Sequence, residues 1–131
     1  MRVLALDYGS ARCGVAISDP TGVLATPLEP VPKPGSGAGQ RRLLGLIESL
    51  EVEQVVVGLP LSLSGSDSDQ TREARKFAAW LDRKLTVPVE LYDERFTTRL
   101  AQMDGGGGGA RASEDSRAAA HLLSSWLDRR V

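Results

Sequence analysis

Four acidic side chains in this 131-residue chain stand where a charge is costly unless it is exposed, paired or bound to a cation. Asp7 closes the apolar run Val3-Leu4-Ala5-Leu6. Asp93 and Glu94 follow a second run, Pro88 to Tyr92. Asp115 opens the last helical stretch, and its face continues through Ala119, Leu122 and Trp126. It therefore heads a stripe that should be buried. Two strand ends and a helix start can bring these carboxylates to one sheet edge. Clustered carboxylates repel unless a divalent cation neutralises them. Oxygen-only ligands suit Mg²⁺ or Mn²⁺. Two such ions, ~3.5–4 Å apart, can activate water and stabilise a leaving oxygen in phosphodiester cleavage. Arg12, Arg95 and Arg99 fall near the same edge and suit phosphate contacts, and Thr97 and Thr98 can donate to phosphate oxygens. Each residue also has a plainer account. Asp7 can cap a turn, Asp93 and Glu94 can pair with nearby arginines, and Asp115 can cap its helix. The arginines can form structural salt bridges, and the threonines can start a helix.

The elements that must position these residues follow from periodicity. Arg2–Asp7, Val15–Ser18 and Val23–Leu28 read as three strands joined by the turns Tyr8–Gly14 and Asp19–Gly22, an antiparallel meander. Pro30 to Gly39 reads as a flexible loop. Arg41–Glu51 has helical spacing, with Leu43, Leu46, Ile47 and Leu50 on one face. Gln54–Gly58 is continuously apolar, as a strand buried on both faces would be. Gln70–Leu85 reads as a helix with Ala74, Phe77, Ala78, Leu81 and Leu85 on its stripe. Pro88–Tyr92 is a further strand, Thr97–Met103 a turn or two of helix, and Ser113–Arg130 the final helix. The order β-β-β-α-β-α-β-α predicts an α/β fold with a mixed sheet and helices on its faces, within a single domain spanning residues 1–131.

Composition narrows the function. Hydrophobic residues make up 41% and charged residues 25%, so the chain has the makings of a globular core. No apolar run approaches the ~20 residues a membrane span needs. Asp7 interrupts what a signal peptide would keep apolar, so a cytoplasmic location is expected. The single cysteine, Cys13, excludes an internal disulfide and a multi-cysteine zinc site, leaving only an intermolecular bridge open to it. One histidine, His121, argues against histidine-based catalysis. The net charge of −1 is not that of a strongly basic nucleic-acid binder, although the 16 Lys and Arg can still form a local basic face. Gly58-Leu59-Pro60 and its Ser/Gly loop lack the Lys-Ser/Thr of a P-loop.

Four blocks in order resemble the YqgF family, whose members are described as pre-16S rRNA nucleases and earlier as Holliday junction resolvases. They are Leu4-Ala5-Leu6-Asp7-Tyr8-Gly9 with Arg12, Gly14-Val15-Ala16 and Ser18-Asp19; Val56-Val57-Gly58-Leu59-Pro60 with Gly65; Asp93-Glu94-Arg95-Phe96-Thr97-Thr98; and Glu114-Asp115-Ser116 with Ala118-Ala119. The resemblance implies a ribonuclease H-like fold, a five-stranded mixed sheet flanked by helices, akin to RuvC resolvases. It implies divalent-metal phosphodiester cleavage, with Asp7, Glu94 and Asp115 as catalytic acids and Asp93 as a further metal ligand. Members usually carry a longer, lysine-containing stretch before the last acid. Here Asp104 to Ser113 is short and glycine-rich, with only Arg111 to contact a substrate. The expected partner is nucleic acid, either structured or single-stranded RNA or branched DNA, bound by a monomer or homodimer. Maturation of pre-16S rRNA is the leading reading, and resolution of Holliday junctions is the alternative. Two other classes are an ATP-binding module, because the Asp7-Tyr8-Gly9 hairpin also resembles that of actin-like ATPases, and a non-catalytic nucleic-acid module.

Overall fold

A computed structural model of the chain describes residues 1–60, 67–93 and 114–129. Five strands form one sheet: β1 (Val3–Asp7), β2 (Arg12–Ser18), β3 (Ala25–Pro32), β4 (Gln54–Leu59) and β5 (Val89–Asp93). Their order across the sheet is β3-β2-β1-β4-β5. The β1-β2 and β2-β3 pairs are antiparallel, whereas β1-β4 and β4-β5 are parallel. Three helices are described: α1 (Gly37–Ser49), α2 (Asp69–Lys84) and α3 (Glu114–Arg129).

Alternation along the strands sorts side chains between two cores. Leu4, Leu6, Val15, Val55 and Val57 pack with Leu43 and Ile47 of α1 and Phe77, Ala78 and Leu81 of α2. Val3, Ala5, Ala16, Val56 and Tyr92 pack with Ala119, Leu122, Leu123 and Trp126 of α3. The meander, the doubly buried β4 and the buried faces of all three helices agree with the periodicity. Along β1, Val3 and Ala5 face α3, so the same period directs Asp7 to the α3 side.

The boundaries around β3 depart from the sequence pattern. Val23 and Leu24 are 70% and 66% exposed rather than part of a strand. The Asp19 carboxylate holds them in the turn by accepting their backbone N–H groups at 2.8 and 2.9 Å. The strand then runs from Pro27, where a strand was expected, on through Pro30 and Pro32, where a flexible loop was expected. Proline is tolerated there because β3 is an edge strand, with one side free of ladder bonds. α1 begins at Gly37, four residues before the expected start at Arg41. Ser36 caps it by accepting from Gly39 N at 3.1 Å. A capping box of Ser68 and Thr71 likewise opens α2. The expected helical segment Thr97–Met103 lies outside the described residues.

The Asp19 turn has a pH signature. A hydrogen bond from the Thr21 hydroxyl, then those from the Leu24 and Val23 amides, hold the carboxyl down at about 2. A depressed folded-state value contributes stability that is present above the ordinary Asp value near ~4 and lost as pH falls through about 2. Asp19→Ala should therefore melt below wild type at pH 6, and the gap should close between pH ~4 and ~2. Thermal melts followed by circular dichroism across that range check this.

Candidate active site

The site is assembled by one close approach between β2 and α3. In register, Asp7 of β1 is the partner of Gly14 of β2. A β-carbon on Gly14 would stand 2.0 Å from the Asp115 carbonyl oxygen and 2.9 Å from Ser116 N. Only glycine lets the first turn of α3 lie directly on the strand at this point. Asp7 and Asp115 thus flank the same glycine, one beside it in the sheet and one above it.

A register break makes the contact polar as well as close. Cys13 pairs with Val31 and Val15 with Leu28, so the single residue Gly14 faces two residues of β3, Glu29 and Pro30. This is a β-bulge, with a proline on the bulged strand. Here the Val15 amide donates to Ser116 Oγ at 3.2 Å, in the interior. The next helical residue after Asp115 therefore satisfies a backbone donor of β2. The other end of α3 is tied to β5. Tyr92 OH and Ser125 Oγ lie 2.7 Å apart, and Trp126 Nε1 donates to Glu90 Oε2 at 2.8 Å.

Cys13 reports on the charge gathered at this edge. Its thiol is held far above its ordinary value, by burial first and then by the Asp7 and Asp115 carboxylates. Both acids therefore act on one buried point. Cys13 itself is fully enclosed, which corrects the expectation that it was open to an intermolecular disulfide. Arg12 follows the alternation of Gly14 to the α3 side, with Nη1 3.8 Å from Asp115 Oδ2. Their side chains are 60% and 37% exposed, and a pair this open is worth only ~0–1 kcal/mol.

The structure separates the predicted residues into three groups. Asp7, Asp115 and Arg12 come together. Asp93 ends β5, two strands from β1, and follows the alternation of Leu91 toward the α1/α2 side, while Glu90 and Tyr92 face α3. Glu94, Arg95, Thr97, Thr98, Arg99 and Arg111 lie outside the described residues. Among the described residues, no group of three or more His, Cys, Asp or Glu is gathered in a metal-holding arrangement. The structural parts of Gly14 and Ser116 were not assigned from sequence. A glycine between the apolar Cys13 and Val15 was their available signal, since strand glycines mark close backbone approach. Trp80 and Trp126 pack in the two cores.

This sheet order with helices on both faces is the ribonuclease H-like fold, with Asp7 at the end of its central strand. Solved structures agree in fold. Thermus thermophilus RuvC in complex with a Holliday junction substrate aligns with a TM-score of 0.64 at 17% identity, covering 99% of this chain and 96% of that one. Fowlpox virus resolvase in complex with substrate Holliday junction DNA aligns at 0.65 and 10% identity, covering 100% and 99%. The chain belongs to the RuvX family, described as Holliday junction resolvase, which it matches over residues 1–129. Curated relatives carry the name "Putative pre-16S rRNA nuclease". That of Mycobacterium tuberculosis is 44% identical over 136 residues, covering 99% of this chain and 80% of the relative. That of Maridesulfovibrio salexigens is 39% identical over 134 residues, covering 98% and 99%. That of Koribacter versatilis is 46% identical over 97 residues, and the match spans 63% of its length. No described helix is long and apolar enough to cross a membrane.

Two substitutions test the assembly. Gly14→Ala must displace the first turn of α3 and should cost about 1–3 kcal/mol, the range for overpacking. Ser116→Ala leaves a buried amide without its partner and should also cost about 1–3 kcal/mol. Urea unfolding measures both.

Proposed function

We propose that this chain is a divalent-metal-dependent nuclease that hydrolyses phosphodiester bonds, with Asp7, Glu94 and Asp115 as its catalytic acids. The observation that carries this reading is the placement of Asp7 and Asp115 on either side of Gly14. Both carboxylates are half-buried yet open to solvent at the sheet end. Their donors are oxygens alone, a set that fits Mg²⁺ or Mn²⁺ rather than a softer metal. Asp7 and Asp115 would hold the ion. Glu94 is the third ligand in this reading, because it stands in the block Asp93-Glu94-Arg95-Phe96-Thr97-Thr98 that resembles the family's. Asp93, which shares the alternation of Leu91 on β5, is an outer ligand in this reading. The metal, when bound, would supply a nucleophilic water at neutral pH and stabilise the leaving oxygen.

The residues of the chain have separate tasks in this scheme. Asp7, on a strand buried at Val3 to Leu6, is a rigid anchor. Asp115 is set by the Gly14 contact and by the Ser116 hydrogen bond next to it. Arg12 meets a substrate phosphate, and Arg95, Thr97, Thr98, Arg99 and Arg111 extend that contact. A net charge of −1 makes such local cations the means of holding a polyanion.

The proposed substrate is the 5′ precursor segment of 16S rRNA, in the cytoplasm, a reading supported by curated relatives whose names give pre-16S rRNA nuclease. Resolution of Holliday junctions is the second reading, favoured by the family description. End-labelled precursor rRNA and a four-way DNA junction, each with Mg²⁺, Mn²⁺ or chelator, separate the two. Metal-dependent cleavage confined to the RNA supports the first, and symmetric junction cleavage supports the second.

Asp7→Asn decides the mechanism. Cleavage should fall ~10³-fold or more, about 4 kcal/mol in barrier. Removing one of two neighbouring like charges relieves repulsion, so the melting temperature should stay level or rise. Cleavage at the wild-type rate would remove Asp7 from the chemistry.

A further inference from the structure

The loop after β3 lies against the sheet end that carries the two acids. Arg12 is the register partner of Pro32, and Lys33 N–H donates to Ala11 O at 2.9 Å. Lys33 holds φ at 44°, in the left-handed region that residues other than glycine and asparagine seldom adopt. Its surroundings impose that conformation. The Lys33 carbonyl accepts Ser36 N at 2.9 Å and Ser36 Oγ at 2.7 Å. The first turn of α1 presses on it so closely that a β-carbon on Gly39 would stand 2.1 Å from the same oxygen. None of this packing uses the lysine side chain, which is exposed and has no ion-pair partner among the described residues. A residue that bears conformational strain without a packing role invites a functional account.

Arg41 is the second such cation. It is exposed, and its Nη1 lies near Gly37, 3.3 Å from where a β-carbon would stand. It has no ion-pair partner among the described residues, and the first turn of α1 holds no acid. Arg42 differs, since it pairs with Glu29 at 3.5 Å. Arg12, Lys33 and Arg41 are thus three exposed cations on segments that meet at this end of the sheet.

We infer that Lys33 and Arg41 hold the phosphate backbone of the nucleic-acid substrate beside the scissile bond, as positioning residues that neither touch the reacting atoms nor read bases. This inference rests on the nuclease reading above. The shared chemistry is the phosphodiester backbone, and the two arms of the test separate its sources.

Binding is measured by fluorescence anisotropy in chelator, with a labelled single-stranded RNA and a labelled four-way DNA junction, across a salt series. Lys33→Asn suits the left-handed backbone, so its melting temperature should equal or exceed that of wild type. It should nonetheless bind ~3–10-fold more weakly, and its log-log salt slope should shrink by about one. Adding Arg41→Ala should weaken binding by a similar factor again. Lys33→Arg keeps the charge and should bind as wild type. A larger loss on RNA makes that strand the source of the phosphates, and a larger loss on the junction makes it DNA. Unchanged affinity and slope in the double variant would overturn the inference. So would a loss that Lys33→Arg shares, because that would mark a structural role. Chelator removes metal-dependent cleavage from the readout. Failure of Asp7→Asn to lose activity would therefore refute the nuclease mechanism without disturbing this measurement.

Discussion

The contact on which the rest depends is the seating of the first turn of α3 on Gly14. It joins segments more than a hundred residues apart, and it leaves no room for a side chain between strand and helix. The β-bulge opposite Gly14 opens the ladder, and Ser116 satisfies the Val15 amide there. Loss of that acceptor would strand a buried donor, which is costlier than the bond is favourable. Because Asp115 precedes Ser116, a contact made for packing and hydrogen bonding also fixes a carboxylate beside Asp7. The bonds of Tyr92 with Ser125 and of Trp126 with Glu90 hold the far end of the helix, so its first turn has little freedom to drift.

That geometry sets two like charges next to a buried core. Burial first, and then both carboxylates, disfavour a thiolate at Cys13. Arg12, 3.8 Å from Asp115 and exposed, is a weak counter-charge to that carboxylate. Two carboxylates flanking one glycine suit an external cation, which is the electrostatic basis for reading the site as catalytic rather than structural. Packing on the opposite face makes the end of β1 rigid. Tyr8 stacks at 4.6 Å on Phe77, and Phe77 in turn lies 6.1 Å from Trp80.

The legible parts of this fold were those with long periodic patterns. The apolar run of β4, the stripes of α2 and α3 and the meander of β1 to β3 all follow from spacing. The region from Val23 to Gly39 did not follow. Composition there argued for a strand ending at Leu28 and a Pro/Gly-rich loop. Instead, an Asp19 turn takes up Val23 and Leu24, and an edge position lets three prolines remain in a strand. Ser36 then starts a helix through two glycines, one of which is packed against Lys33. In each case a tertiary neighbour outweighs local propensity.

The sequence by itself determined most of the elements and the class of fold and nominated the acids, because periodicity, strand ends and motif order are local properties of a chain. It also placed Asp115 at the head of a buried stripe. Only the tertiary structure decided which acids meet. Asp7 and Asp115 converge through a glycine contact that no spacing rule encodes, while the alternation of β5 turns Asp93 to the other face. Only the fold likewise brought Lys33 and Arg41 to the same end of the sheet. Side-chain direction and long-range approach are set by register and packing, and both arise only when distant segments are held together.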